Sequence, residues 1–264
     1  MTDFREKVLP GNAVWEQILS RDLVTEADIR AALYPGTEDR KRLVQLLLAR
    51  PREGTPAEKA VQVIQQYFPQ ARIFADQREV VVLQDLEEQV FGKNLPEALE
   101  ADLAGQELLL CAGNGFSHLD QLRSVYLMTD QMMRLVRKLR MEGEYLFYLE
   151  DYQNMMILDN SVKEFMRQNG TENIIYLTHP AVARLRKYDE EHGTELRQVL
   201  YHYLRYDGSI QKTAAAMYMH RNTIQNKLKK INELAPVDLH DGLLCERLLL
   251  SCQLLEYQEK ILGK

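Results

Sequence analysis

The residues best suited to chemistry on a partner lie together between Ser209 and Asn232. This segment holds no Asp or Glu, although the chain of 264 residues carries a formal net charge of −6. A basic segment within an acidic protein is typical of a localised anion-binding surface, although a solvated helix face would have the same charge. The spacing of the residue types must therefore decide. The basic residues of the segment are Lys212, Arg221, Lys227, Lys229 and Lys230.

The apolar residues of this segment predict which polar side chains face outward. Ile224, Leu228 and Ile231 recur at intervals of four and three residues, which makes one buried stripe on a helix. Asn and Gln can pair through two atoms with adenine, and Arg with guanine, whereas Lys and Thr suit phosphate oxygens. The pattern predicts a helix at about 220–232 that reads base edges in the major groove of double-stranded DNA. The candidate DNA-binding residues are Ser209, Lys212, Thr213, His220, Arg221, Asn222, Thr223, Gln225, Asn226, Lys227, Lys229 and Lys230.

Two further helices are needed to hold this one in place. The first is predicted from Leu196 and is ended by Asp207-Gly208. Ser209 is the expected N-cap of the second, because its hydroxyl can accept a hydrogen bond from a free backbone N–H. The run Ala214–Ala216 allows another helix to approach closely, and the turn is expected at Tyr218-Met219. The order predicts a helix-turn-helix.

This region resembles the C-terminal helix-turn-helix of PucR/CdaR-type regulators. The recognition helix of that family typically opens with His-Arg-Asn-Thr, which here is His220-Arg221-Asn222-Thr223, and Thr213-Ala214 matches the family late in the second helix. The resemblance implies a DNA-binding domain over 195–264, preceded by a helical connector over 156–194. Where the family often has aromatic residues or arginine before a leucine, this chain has Asn226-Lys227.

Residues 1–155 are predicted to form a ferredoxin-like α/β sandwich, which makes the whole chain α+β. Short apolar, β-branched runs and helical segments alternate in the order β-α-β-β-α-β, with a final strand at 145–149. Thr55 and Glu58 have capping-box spacing for the first of these helices. The stretch from Trp15 to Tyr152 resembles the degenerate GGDEF-like domain of CdaR-type regulators. We expect the effector-sensing domain that usually precedes it in that family to be missing.

No residue pattern predicts catalysis, a metal site or a cofactor. A nucleotide cyclase needs a Gly-Gly hairpin and metal-binding carboxylates, but the corresponding hairpin is Ala75–Glu79, and no two glycines are adjacent anywhere in the chain. Gly113-Asn114-Gly115 favours a turn over a phosphate-binding loop. The isolated histidines are interpreted as structural; they are His118, His179 and His202. The chain is therefore not expected to be an enzyme.

The remaining composition indicates a soluble, cytoplasmic protein. The three cysteines lack metal-ligand spacing, and Cys245 and Cys252 share a helix face as small apolar residues. No apolar run is long enough to span a membrane, and no signal peptide begins the chain.

Two functions remain open from the sequence. The favoured one is a sequence-specific transcription regulator that binds DNA as a homodimer or higher homo-oligomer and responds to an unknown small-molecule effector. The alternative is a protein-interaction or nucleotide-sensing module whose helix-turn-helix is vestigial. The last helix, at about 243–262, is expected to close the domain or to contribute to a dimer.

Overall fold

The computed structural model describes residues 13–36, 42–51, 57–88, 92–140 and 143–263. It divides into two compact units, Met1–Met156 (unit 1) and Ile157–Lys264 (unit 2). The described part of unit 1 combines strands with helices, whereas that of unit 2 is helical. The predicted α+β class is confirmed. The expected capping residue Thr55 lies outside the described residues.

The strands form one sheet and the helices follow the predicted order. The strands are β1 (Leu43–Arg50), β2 (Arg72–Ala75), β3 (Val80–Leu86), β4 (Leu109–Phe116) and β5 (Leu146–Tyr148). The helices before the last strand are α1 (13–20), α2 (Glu26–Leu33), α3 (Ala57–Tyr67), α4 (Glu97–Gly105) and α5 (Leu122–Leu139). The later helices are α6 (Leu149–Asn169), α7 (Pro180–His192), α8 (Leu196–Arg205), α9 (Ile210–Ala216), α10 (Arg221–Leu234) and α11 (Gly242–Tyr257). Short helical turns occur at Leu119–Gln121, Ile175–Leu177 and Gln258–Leu262.

The sheet has the strand order β2-β3-β1-β4-β5. β1 is antiparallel to both β3 and β4, and β2 is antiparallel to β3. The first four strands with α3 and α4 therefore reproduce the split βαβ arrangement that the sequence predicts. β5 adds a parallel strand beside β4, reached through α5 as the crossover helix.

Both faces of the sheet are covered, which explains the apolar character of β1. Leu47 and Ala49 join a buried cluster with α3 and α4 on one face. On the other face α5 packs against β1 and β4, and Cys111 lies 4.0 Å from the sulfur of Met133. Six consecutive residues of β1 are buried. A strand buried on both faces needs an uninterrupted apolar run, and alternation is lost.

The helix α6 begins earlier than the sequence predicts. The sequence predicts the helical connector only from residue 156, but the structure continues directly from β5 into a helix at Leu149. Its first two turns are largely polar and exposed, with Met156 and Leu158 buried. Leu149, Tyr152 and Met156 recur at helical spacing, but the apolar run that predicts a strand at 145–149 includes the first residue of this helix.

The described helices of unit 2 share an apolar core. Val182 and Leu185 of α7 pack into the same cluster as Val199 and Leu200 of α8. Residues that the sequence assigns to a connector therefore complete the core of the predicted helix-turn-helix region. Among the described helices of both units, none is both long and apolar enough to cross a lipid bilayer.

Candidate nucleic-acid interface

The structure places α10 on α8 and α9 through its aliphatic edge. Ile224 and Ile231 are fully buried, and Leu228 packs partly buried against the same cluster. The buried threonine and alanine of α9, Thr213 and Ala214, face the other helices of this core. The three helices α8, α9 and α10 make the contacts expected of a helix-turn-helix.

The turn before α10 contains a tyrosine in the left-handed conformation. Tyr218 has φ +52° and its side chain is 99% exposed. Its N–H donates to the carbonyl of Ala215, and the N–H of Met219 donates to that of Ala214 at 2.9 Å. These two bonds are those of a Schellman motif, in which glycine usually occupies the position of Tyr218. The sequence predicted the turn at this position, but it did not predict that the tyrosine ring is exposed.

Two of the predicted residues cap the helices that carry the surface. The hydroxyl of Ser209 accepts a hydrogen bond from the N–H of Lys212 and begins α9. Nδ1 of His220 accepts one from the N–H of Asn222 at 3.2 Å and begins α10. Both caps satisfy N–H groups that a helix N-terminus otherwise leaves unpaired. They fix the position at which the exposed residues of α10 start.

Most of the predicted residues are exposed together around α10. Asn222, Gln225, Asn226 and Lys229 lie on the side of the helix away from Ile224, as the apolar spacing predicts. This surface, which we call the α10 surface, is amide-rich and carries positive charge at Arg221 and Lys229. The exposed members of the predicted set are Lys212, His220, Arg221, Asn222, Thr223, Gln225, Asn226 and Lys229.

The structure contradicts the prediction that Thr213 contacts DNA, and it shows that Lys227 and Lys230 are partly occupied by ion pairs. Thr213 is fully buried, and its hydroxyl donates to the carbonyl of Ser209, so it cannot reach a phosphate. Nζ of Lys227 lies 3.0 Å from a carboxylate oxygen of Glu195, and only 22% of the lysine side chain is exposed. Lys230 pairs with Glu233 at 3.2 Å but is more open. The ion pairs of these two lysines could not be predicted from residue type, because their partners lie at the start of α8 and at the end of α10.

A carboxylate in α7 caps α8, one of the helices on which α10 packs. The two side-chain oxygens of Asp189 accept hydrogen bonds from the N–H groups of Leu196 at 2.8 Å and Arg197 at 2.9 Å. The hydroxyl of Thr194 also donates to this carboxylate. Asp189 thereby caps α8 from a neighbouring helix, a role that the spacing in the sequence did not predict.

Replacing Asp189 by alanine is expected to destabilise unit 2 by about 1–2 kcal/mol, because two N–H groups at the start of α8 lose their acceptor. Urea unfolding followed by circular dichroism measures the change. Glu191→Ala, which removes an exposed carboxylate from the end of the same helix, is the matched control and should change stability by less than about 0.5 kcal/mol. Equal effects of the two substitutions would contradict the capping role.

The region 196–254, from α8 into α11, matches the model of the PucR C-terminal helix-turn-helix domain. Unit 2 carries a PucR-type domain. Helix-turn-helix domains bind DNA through the recognition helix that follows the turn, so this match supports DNA binding and transcription regulation by unit 2. The PucR-type domain extends over the whole of the α10 surface.

Two comparisons used the whole chain. No protein with a curated description matches the sequence. Among solved structures the chain is similar to the regulator of polyketide synthase expression from Bifidobacterium adolescentis, at 13% identity and a TM-score of 0.41. That similarity covers 92% of this chain and 90% of the other.

Two histidines and a cysteine from the sequence analysis lie outside the α10 surface. His179 caps α7 through Nδ1, as a structural histidine would. His118, expected to be isolated, lies with Glu26 and Asp120, whose potential ligand atoms are all within 4.8 Å of one another. Tertiary approach of the turn at Leu119–Gln121 to α2 brings them together at the surface. Burial raises the pKa of Cys252 to about 12, so this thiol is a packing residue.

Proposed function

We propose that this protein is a transcription regulator that binds a specific DNA sequence as a homodimer, with α10 in the major groove. The observation that supports this most strongly is the division of α10 into two sides. Ile224 and Ile231 anchor one side in the core, and Asn222, Gln225 and Lys229 are presented on the other. The amides suit base edges and the ammonium group suits phosphate oxygens.

The distribution of charge indicates which end of α10 approaches DNA. Arg221 is exposed at the N-terminal end, whereas near the C-terminal end Glu233 pairs with Lys230 and offsets its positive charge. The N-terminal end of the helix also has the positive end of the helix dipole. The first two turns of α10 are therefore the part proposed to enter the groove.

The exposed tyrosine in the turn extends this surface. An aromatic residue at a left-handed position costs stability, and a residue that is 99% exposed gains little compensating contact from the residues that the structure describes. Tyr218 precedes the capping residue His220 by two positions, so it lies beside the N-terminal end of α10. We propose that its ring or hydroxyl contacts the DNA backbone next to the groove.

Replacing Tyr218 by glycine is expected to change stability and DNA affinity in opposite directions. Glycine adopts positive φ without strain, so unit 2 should gain about 0.5–1 kcal/mol in unfolding free energy. Loss of the ring should weaken DNA binding several-fold. Thermal unfolding and fluorescence anisotropy with labelled duplex measure the two effects. Leu127→Ala, which removes an exposed apolar side chain from unit 1, is the control for DNA affinity; unchanged affinity in Tyr218→Gly would exclude the backbone contact.

The proposed function is tested by selection of bound DNA. The full chain is mixed with sheared genomic fragments and excess non-specific competitor, and the retained fragments are sequenced. A regulator of this type enriches one motif with half-sites spaced by about one helical turn or a multiple of it. Retention without an enriched motif would contradict sequence-specific regulation and favour a module whose helix-turn-helix is vestigial.

A further inference from the structure

The N-terminal half of α11 presents an uncovered apolar face. Leu243 is 66% exposed and Leu250 is 46% exposed. They are seven residues apart, so they lie on the same face of the helix, and the buried Leu248 and Leu255 lie on the opposite face. Scattered exposed leucines are common, but two on one stripe beside further apolar surface indicate a contact region.

A turn that packs against α11 exposes two further apolar side chains. Tyr176 is 83% exposed and Leu177 is 41% exposed in the turn Ile175–Leu177, which packs against α11. The N–H of His179, just after that turn, donates to the hydroxyl of Ser251 at 2.8 Å and fixes the two segments together. We call Tyr176, Leu177, Leu243 and Leu250 the α11 patch.

The same stripe of α11 is buried farther along the helix. Leu254 and Tyr257 follow Leu250 at helical spacing and are 5% and 0% exposed. The hydroxyl of Tyr257 donates to the carboxylate of Asp159 in α6 at 2.8 Å. The C-terminal half of the stripe therefore has a partner within unit 2, whereas the N-terminal half has none among the described residues.

The charges between the two exposed leucines identify the missing partner. Glu246 and Arg247 are exposed on the outward side of α11, and their side chains form no ion pair with any residue that the structure describes. If a second α11 lies antiparallel across a two-fold axis between these positions, Leu243 faces Leu250 of the second copy. Glu246 then faces Arg247 of that copy, and Arg247 faces its Glu246. The face is complementary to itself in this one orientation.

We infer that the α11 patch is the surface through which two copies of this chain associate, with their α11 helices antiparallel. The inference rests on the proposed function in one respect, because binding to two half-sites requires two recognition helices. The patch itself is defined without reference to DNA. Aliphatic contacts supply the apolar core of the interface, and the two Glu–Arg pairs set its orientation.

A charge-swap series on the full chain tests the inference without DNA. Sedimentation velocity over a range of concentrations gives the dimer dissociation constant of the wild-type chain and of each variant. Glu246→Arg alone and Arg247→Glu alone each place like charges opposite each other, and we expect each to weaken the dimer at least tenfold. The double variant Glu246→Arg/Arg247→Glu restores both pairs. Its dimer dissociation constant should lie within about threefold of the wild-type value, which corresponds to about 0.7 kcal/mol.

A second series tests the apolar part with a matched control. Leu250→Glu should abolish dimerisation, whereas Leu127→Glu, at another exposed leucine in unit 1, should leave the dissociation constant unchanged. Circular dichroism verifies that each variant is folded. A monomeric wild-type chain, a dimer insensitive to Leu250→Glu, or a double swap as weak as the single variants would each overturn the inference.

The outcomes also separate this inference from the proposed function. A dimer that follows the charge-swap pattern but enriches no DNA motif would support the α11 surface and contradict the regulator. A chain that enriches a motif while its association ignores the α11 patch would support the regulator and contradict the surface.

Discussion

Replacing Ile231 by alanine is expected to destabilise unit 2 by about 2–5 kcal/mol. Ile231 is fully buried at the point where α10 packs on the rest of the helical core, so the change leaves a cavity that the surrounding helices fill only in part. Because α10 depends on this contact for its position, the variant should also lose affinity for every DNA sequence alike. Urea unfolding followed by far-ultraviolet circular dichroism measures the destabilisation.

The matched control for this substitution is Asn226→Ala. Asn226 is exposed on the other side of the same helix, and its replacement should change stability by less than about 0.5 kcal/mol. The fluorescence of Trp15, which stacks on Phe74 in unit 1, provides a separate signal for that unit. If Ile231→Ala were as mild as Asn226→Ala, the aliphatic edge of α10 would not be its anchor.

Replacing Asn222 or Gln225 by alanine is expected to cost about 1–3 kcal/mol of binding to the selected DNA sequence. Each amide can make two hydrogen bonds to a base, and losing them removes discrimination at one position of the site. Binding to unrelated sequences should change much less. The measurement is the dissociation constant for the selected duplex and for a scrambled duplex at the same salt concentration.

Two control substitutions make this prediction sharper. Lys229→Ala should weaken both duplexes similarly and reduce the slope of log affinity against log salt by about 1, because it removes a phosphate contact. Asn232→Ala removes an exposed amide near the C-terminal end of α10 and should leave both constants unchanged. Equal losses on both duplexes for Asn222→Ala and Gln225→Ala would show that these residues do not read bases.

The fold was predictable wherever one local pattern determined the structure. The spacing of Ile224, Leu228 and Ile231 sufficed to orient α10, because one apolar stripe on a helix fixes which side faces the core. The order of strands and helices along unit 1 followed from the alternation of short apolar runs and helical segments. The sequence did not predict the start of α6 at Leu149, because the apolar run that predicts the strand 145–149 includes this residue.

The details of the site depended on contacts between distant residues. Thr213 has a residue type that suits phosphate, but its place on α9 turns it into the core. Lys227 has the right charge, and the start of α8 places Glu195 beside it. The left-handed conformation of Tyr218 arises from the bonds that end α9, and no residue preference for tyrosine would have predicted it.

The central claim, that the outward side of α10 meets DNA, is tested most directly by site-specific crosslinking. A cysteine-directed photoactivatable probe is attached to the full chain carrying Gln225→Cys, and in parallel to a chain carrying Glu191→Cys, an exposed position on α7. The wild-type chain treated with the same probe reports background labelling at the partly exposed Cys245. We predict crosslinking of the selected duplex from residue 225 above this background, suppressed by unlabelled duplex, and none above it from residue 191. No crosslink from residue 225, or equal yields from both positions, would contradict the account.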